Sequence, residues 1–592
     1  MPRSKPRAEI ADLALLSDCQ SAALVDGQGS ISWLCLPRFD SPAVFASLLD
    51  PRGGQWSLRP EGLSESTRRY LPESLVLETT FVTPAGRAVL TDALVLGEGE
   101  RGHDIGRRSP HVLVRTVEVT AGRVTVEGAF APRGQYGLVA PRWIRHGSAL
   151  VADLGDIELT LCGPAADELS TDDARWTREL SAGHSLTFGL LSRTGESTPT
   201  RPWPEAEILN RLADTGRAWR SWSALHHSYD GSWREQVRLS GRILQGLTYA
   251  PTGAVIAAPT TSLPAQLHRV PSWDHGYSCL HDAVCVASAQ RFAACPVEAT
   301  RHVSWLVDTV SGGSTTEGLQ TVFGVGGELD LGEELLVAAH GWHQPAAMGS
   351  GRWRRRDSEG AGELLAAVYL LRDHLTPPVG DRRAVLVRAV ETIRSRPSPG
   401  GARTAVMDWL ALNRAAALPD WFDASAAGPT PRLIEAATHM RAAVLRGGWD
   451  ASTGGYSGFN GRSLVEAASL LLCLSGLLAA RDPVMGRTVE LVAERLSAPC
   501  GLIYRDEDAP EREGPSVVCT FWLVECLAAA GQLDRATAIF DQASAYANDV
   551  GLLSEDADPR TGQLLGHFPR ASSHAGLIDA VAALERGRVT PS

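Results

Sequence analysis

Three stretches of this chain place proton-moving side chains beside side chains that could hold a small polar molecule. In the first, GLLSEDADPRTGQLLGHFPRASSH (551–574), Glu555 and Asp556 follow an apolar Gly-Leu-Leu step, and a turn sequence comes next. A carboxylate held in a short loop between apolar anchors can act as a general base. The plainer reading is that both acids solvate a loop ahead of a last helix opened by His574. In the second, APTGAVIAAPTTSLPAQLHRVPSWDHGYSCLHDA (250–283), Pro and Gly force an irregular path that then presents Trp273, Asp274, His275, Tyr277, His281 and Asp282. Flat aromatic faces beside hydrogen-bond acceptors suit a polyhydroxylated ring, although Asp282 could equally cap the helix that follows. In the third, HGWHQPAAMGSGRWRRRDSEGAGE (340–363), Trp342, Asp357 and Glu359 flank a basic run, Arg352–Arg356, that reads as a solvated face.

The elements that must position these side chains change character along the chain. From the start to about 204, short alternating runs such as SLVLETTFVT (74–83), HVLVRTVEVT (111–120), RVTVEGAF (123–130) and HSLTFGLLS (184–192) are separated by Gly, Pro or Asp. DGQGS (26–30) before ISWLCL reads as a hairpin turn. Many short strands at this spacing predict an N-terminal antiparallel β-sandwich over 1–204. EAEILNRLADTGRAWRSWSAL has helical periodicity and predicts a helical linker, 205–232. Residues 233–592 read as helices with short loops, including 233–249, 282–294, 362–375, 403–418, 464–480 and 519–531. Their apolar residues occupy more than one face, which fits two concentric helical layers with the chemistry in loops at one end.

The totals bound the rest. At 592 residues the chain exceeds one ordinary core, and 44% hydrophobic with 21% charged residues is the balance of a soluble globular protein. A net charge of −12 gives no general attraction to nucleic acid or anionic membrane. No uninterrupted apolar run is long enough to span a bilayer, and the N-terminus lacks an apolar signal core, so a cytoplasmic location is expected. The ten cysteines are scattered without zinc spacing and read as buried thiols. No dinucleotide or phosphate-loop motif occurs. The expectation is therefore no cofactor, no required metal, and a small-molecule substrate as partner.

Several long segments carry a resemblance. LSDCQSAALVDGQGSISWLCLPRFDSPAVFASLLD (16–50), YLPESLVLETTF (70–81), YAPTGAVIAAPTTSLP (249–264) and EGPSVVCTFWLVECLAAAGQLDRA (513–536) resemble glycoside hydrolase family 15, the glucoamylases and bacterial trehalase-like proteins. The resemblance implies a β-sandwich, a helical linker and a C-terminal (α/α)6 barrel that hydrolyses α-glucosidic bonds with inversion, one carboxylic acid protonating the leaving oxygen while a second activates water. It places the base on Glu555. The family's substrate-holding loop resembles RNWDYRYCWLRDA; PSWDHGYSCLHDA keeps Trp273, Asp274, Tyr277 and Asp282 but has His275, Gly276 and His281 elsewhere, so an arginine beside Asp282 becomes an imidazole.

Counting back from Gly362-Glu363, Glu359 stands for a family aspartate, and Asp357 and Arg355 for glutamines. The loop that normally carries the acid is reduced to IRSRPSPGGA (393–402), with Glu391 the nearest carboxylate, in the preceding helical run. Arg570 and Ser572 replace a glutamine and an aromatic.

Three functions compete. The leading reading is a repurposed acid–base enzyme, performing elimination, isomerisation or cyclisation on a terpenoid or other specialised metabolite. Its catalytic set is Glu555, Asp282, His281 and Glu359, and its substrate-binding set is Trp273, Asp274, His275, Tyr277 and Trp342. The alternatives are an inverting α-glucoside hydrolase with an acid recruited from Glu359, Asp357 or His281, and a non-catalytic sugar-binding protein.

Overall fold

The computed structural model describes residues 9–146, 149–164, 174–195, 201–226, 229–264, 275–312, 319–331, 333–336, 346–349, 356–357, 359–395, 400–422, 429–461 and 463–589. The N-terminal part is an antiparallel sheet of 14 strands. Strands Ala22–Val25 and Ser30–Cys35 form the expected hairpin across the 26–30 turn.

The runs 111–120 and 123–130, read as separate strands, are one strand, Val112–Ala131. Its first half pairs with Gly86–Leu94 and Ser185–Thr194, and its second half with Gln55–Pro60 and Ala174–Ser181. The change of neighbours falls at Gly122, whose φ of +69° and 2.2 Å clearance to the Ala85 carbonyl oxygen leave no room for a Cβ. The sheet core holds one buried ion pair. Arg115 Nε lies 2.8 Å from Asp92 Oδ1 and its Nη2 3.1 Å from Oδ2, and the guanidinium also donates to the Trp56 and Gly29 carbonyls.

Helix α1 (Glu205–Ser223) follows the sheet, and a mostly helical part follows it: α2 (Arg234–Gly246), α3 (Ala283–Phe292), α4 (Pro296–Ser311), α5 (Glu359–Leu370), α6 (Asp381–Arg394), α7 (Ala402–Ala416), the short α8 (Pro419–Phe422), α9 (Pro429–Gly448), α10 (Leu471–Leu474), α11 (Pro483–Arg495), α12 (Val517–Ala529), α13 (Leu533–Ser544) and α14 (Ala571–Val589). The run 464–480 does not form the single helix its periodicity predicts. It makes a 3-10 turn, Ala467–Leu470, then the single turn of α10, and Gly476 at φ +79° turns the chain away.

Pairwise packing runs from α3 to α5, α5 to α7, α7 to the Ala467–Leu470 turn, that turn to α12, α12 to α14, and α14 back to α3. Helices α4, α6, α9, α11 and α13 pack on the outside of this closed series. An inner helix contacts neighbours on most sides, which is why α5 and α12 are apolar except for the acids they turn to the cavity, Glu359, Glu363 and Glu525. No helix among the described residues is long and apolar enough to cross a membrane.

Candidate functional site

A cavity of about 1290 Å³ runs inside the closed helix series. Its lining extends from Glu359 and Arg403, near the first residues of α5 and α7, to Tyr369 and Arg414 at the far ends of the same helices. That is a depth of roughly 15 Å at 1.5 Å per residue. Charged side chains cluster at the end where α5, α7 and α14 begin, and three guanidiniums organise them.

Arg505 holds the 551–574 stretch. Its Nη1 lies 3.1 Å from Asp556 Oδ1 and 3.1 Å from Glu513 Oε2, and its Nη2 lies 3.5 Å from Glu555 Oε1. The adjacent acids thus separate in role. Asp556 is fully buried in the small Asp556–Ala557/Leu564–Leu565 ladder, whereas Glu555 is partly exposed and lines the cavity. The backbone N–H of His567 donates to Glu555 Oε2 at 3.3 Å. Gly566, at φ +71°, is required beside it, because a Cβ there would stand 2.9 Å from that of Glu555. Burial raises the Glu555 carboxyl, but Arg570, His275 and Arg505 outweigh it and hold the group well below the usual carboxylate range. Burial pushes Asp556 the other way, against the pull of Arg505.

Arg570 bridges the 551–574 and 250–283 stretches. Its Nη2 lies 3.3 Å from Asp282 Oδ2 and its Nη1 donates to His275 Nδ1 at 2.9 Å. Asp282 occupies the cap position of α3 but makes no capping hydrogen bond through its side chain. A guanidinium therefore stands beside Asp282 from just before α14, although His281 occupies the position where the family resemblance expects an arginine. The His275 and His567 rings stack at 3.8 Å, and His567 Nδ1–H donates to the Thr260 carbonyl. Burial lowers both imidazoles, His567 to about 4.

Arg403 organises the third wall. Its Nη2 lies 2.6 Å from Glu363 Oε1 and its Nε 3.4 Å from Glu359 Oε2, while Thr404 Oγ1 donates to Glu359. His281 Nε2 is 3.9 Å from Glu359. Residues 359 and 363 are one turn apart, so both acids share a face of α5. Burial pushes Glu363 up to about 7, against Arg403 and His281. Glu363 Oε2 is buried without a hydrogen-bond partner among the described residues.

The structure thus brings Glu555, His275, Tyr277, His281, Asp282 and Glu359 to one cavity. Trp273, Asp274, Trp342 and most of the Arg352–Arg356 run lie outside the described residues. Glu391 is on α6, paired with Arg394, and does not line the cavity. Sequence reasoning missed the roles of Arg403, Arg505, Glu363 and His567. One signal existed: Arg403 stands in the first turn of α7, where the helix dipole disfavours a cation, so something outside the helix must hold it. Deeper in the cavity are two further acids, Glu525 and Asp579. Burial raises both, Asp579 to about 7, and Ser288 donates to Asp579 at 2.8 Å.

Comparison with known proteins follows the same division of the chain. A family described as "Trehalase-like, N-terminal" matches residues 4–172, and "Glycosyl hydrolases family 15" matches 391–582. The chain is 32% identical to a trehalase of Mycolicibacterium smegmatis, over 98% of this chain and 92% of that protein. It is 26% identical to a trehalase of Thermoplasma volcanium, over 96% and 92%. A bacterial glucoamylase solved with acarbose superposes with a TM-score of 0.71 at 14% identity, covering 99% of this chain and 96% of the other, a likeness of fold.

Proposed function

The chain belongs to glycoside hydrolase family 15, among its trehalase-like members, and we propose that it hydrolyses α-glucosides with inversion, trehalose foremost. In this reading the closed helix series is an (α/α)6 barrel over 233–592, joined through a linker, 205–232, to a β-sandwich over 1–204.

One observation carries the proposal: a carboxylate kept ionised and a carboxyl pair able to keep a proton line the same cavity. Glu555, held down by Arg570, His275 and Arg505, takes a proton from the attacking water. Glu359 and Glu363 share Arg403, one cation between two acids, and burial lifts Glu363 to about 7, so Glu363 keeps a proton near neutral pH. Glu363 is the proton store, and the more exposed Glu359 is the general acid facing the glycosidic oxygen. The pair replaces the acid missing from the shortened 393–402 loop. Asp282, oriented by Arg570, and Tyr277 hold the sugar hydroxyls.

Elimination or cyclisation of a specialised metabolite is less well supported. A carbocation needs a wall of aromatic faces, whereas this cavity gathers Arg403, Arg505 and Arg570 at its polar end. The relatives are named trehalases, which also favours turnover over sugar binding alone.

The test is glucose release from trehalose, maltose and isomaltose, with the product anomers followed by NMR. Trehalose should yield one α- and one β-glucose per turnover. Absence of release from all three sugars at high enzyme concentration overturns the reading.

A further inference from the structure

Outside the cavity, three side chains of types that can ligate a metal meet where the sheet, α1 and α4 come together. His103 is in the 3-10 turn Gly102–Asp104 of the sheet region, His226 follows α1, and Glu298 is in the first turn of α4. One ligand atom from each lies within 4.8 Å of the others. His103 Nδ1 is 2.8 Å from Glu298 Oε1, and His226 Nε2 is 3.6 Å from Oε2. Four-coordinate zinc with N and O ligands at about 2.0–2.1 Å spaces its ligands roughly 3.3 Å apart, and the observed separations bracket that figure.

The hydrogen bonds around the trio point the same way. His226 Nδ1 is 2.6 Å from the Trp222 carbonyl oxygen, which can only accept, so Nδ1 carries the proton and Nε2 of a neutral ring carries the lone pair. That lone pair faces Glu298 Oε2, another acceptor. Both atoms are buried and neither has a hydrogen-bond partner among the described residues. Two acceptors this close need a positive centre between them, either a metal ion or a second ring proton. Trp222 Nε1–H donates to Glu298 Oε1 at 2.9 Å, and the Trp222 ring lies against His226 at 4.1 Å. An imidazole whose remote N–H is fixed by a carbonyl, with a ligating carboxylate oriented by a second donor, is the usual outer shell of a metal site.

We propose that His103, His226 and Glu298 form a site for one divalent transition-metal ion of the zinc type, clipping the sheet, α1 and the helical part together. The partly exposed His103 leaves the ion an entry path and room for a water as fourth ligand. The site is independent of the hydrolytic reading, because none of the three residues lines the cavity.

Calorimetric titration of the full chain with ZnCl₂, and absorption spectra with CoCl₂, test this. The expected result is a single equivalent bound, a Co²⁺ spectrum without thiolate charge-transfer bands, and a higher Tm with metal than with EDTA. His226→Ala and the milder His103→Gln should weaken binding at least about tenfold and remove the Tm difference, and circular dichroism confirms that each variant folds. His275→Ala, in the cavity group of His275, Glu555 and His567, should bind as the parent does. No binding by the parent protein overturns the site. Binding unchanged in His103→Gln, or abolished in His275→Ala alone, overturns it as well. An imidazolium–carboxylate pair then accounts for the 3.6 Å contact.

Discussion

Arg570 Nη1 donates to His275 Nδ1 at 2.9 Å. A guanidinium has no acceptor, so this contact fixes His275 as the neutral tautomer with its proton on Nε2. Burial, with the Arg570 charge beside it, holds the ring far below its ordinary titration range. His275 therefore enters the site as a permanent neutral donor and takes no part in pH switching near neutrality.

Arg570→Gln restores the side chain that the family resemblance expects at this position, yet it leaves Asp282 without its guanidinium. We expect kcat/KM to fall roughly 30-fold, the equivalent of about 2 kcal/mol. NMR titration should show the His275 pKa rising, since a repelling cation is gone. Arg570→Lys should not rescue, because an ammonium cannot present two donors in a fixed plane. A variant with parental kinetics and an unmoved His275 resonance would contradict the bridging role.

Glu555→Gln keeps the shape of the side chain and removes the base. The loss in kcat should be about 10²–10⁴-fold, with KM and far-UV circular dichroism little changed. Parental turnover in this variant would move the base elsewhere.

The pH profile separates the two walls. Glu555 is ionised far below neutrality, so its titration imposes no acid limb in the working range. Glu363 loses its proton as pH rises through about 7, and activity should fall there. Glu359→Gln should cost about 10²–10⁴-fold in kcat. Glu363→Gln should instead displace the alkaline limb, with a smaller loss. Identical profiles for parent and Glu363→Gln would exclude the pair as the proton store.

Asp579 gives a stability prediction. Its folded value is raised from 3.8 to about 7, first by burial. The favourable contribution of the protonated acid is thus complete below about pH 4 and is lost as pH climbs through 7. Asp579→Asn cannot ionise and should flatten this part of the stability–pH curve by roughly 2–4 kcal/mol, measurable by urea unfolding at pH 5 and pH 8. Parallel curves would show that Asp579 is not the titrating group.

In the sheet, Asp92→Ala strands the fully buried Arg115 and should destabilise the protein by about 3–5 kcal/mol. The double variant Asp92→Ala/Arg115→Met should recover part of that, which thermal unfolding can report. Without recovery, the cost lies in lost packing rather than the unpaired charge.

The helices and strands were legible because they rest on local periodicity: the period-2 runs before residue 200 and the 3.6-period runs beyond it fold as such. Where local pattern failed, a single residue explains it. Gly122 lets two runs join as one bent strand, and Gly476 cuts a helical pattern short. Glu555 was legible as a cavity carboxylate and the proposed base because the 551–574 loop is one contiguous segment resembling the family's. The acid wall was not, because its parts are scattered. Arg403 meets Glu359 and Glu363 across 44 and 40 positions, and Arg570 reaches His275 and Asp282 from nearly three hundred away.

By itself the sequence determined that a helical part with an acidic loop follows a β-rich part, and that His281 stands where an arginine was expected. Only the tertiary structure decided that Arg570 takes that arginine's place. Ion pairs depend on distance through space and on the removal of water, and neither is written in the spacing of residues along a chain.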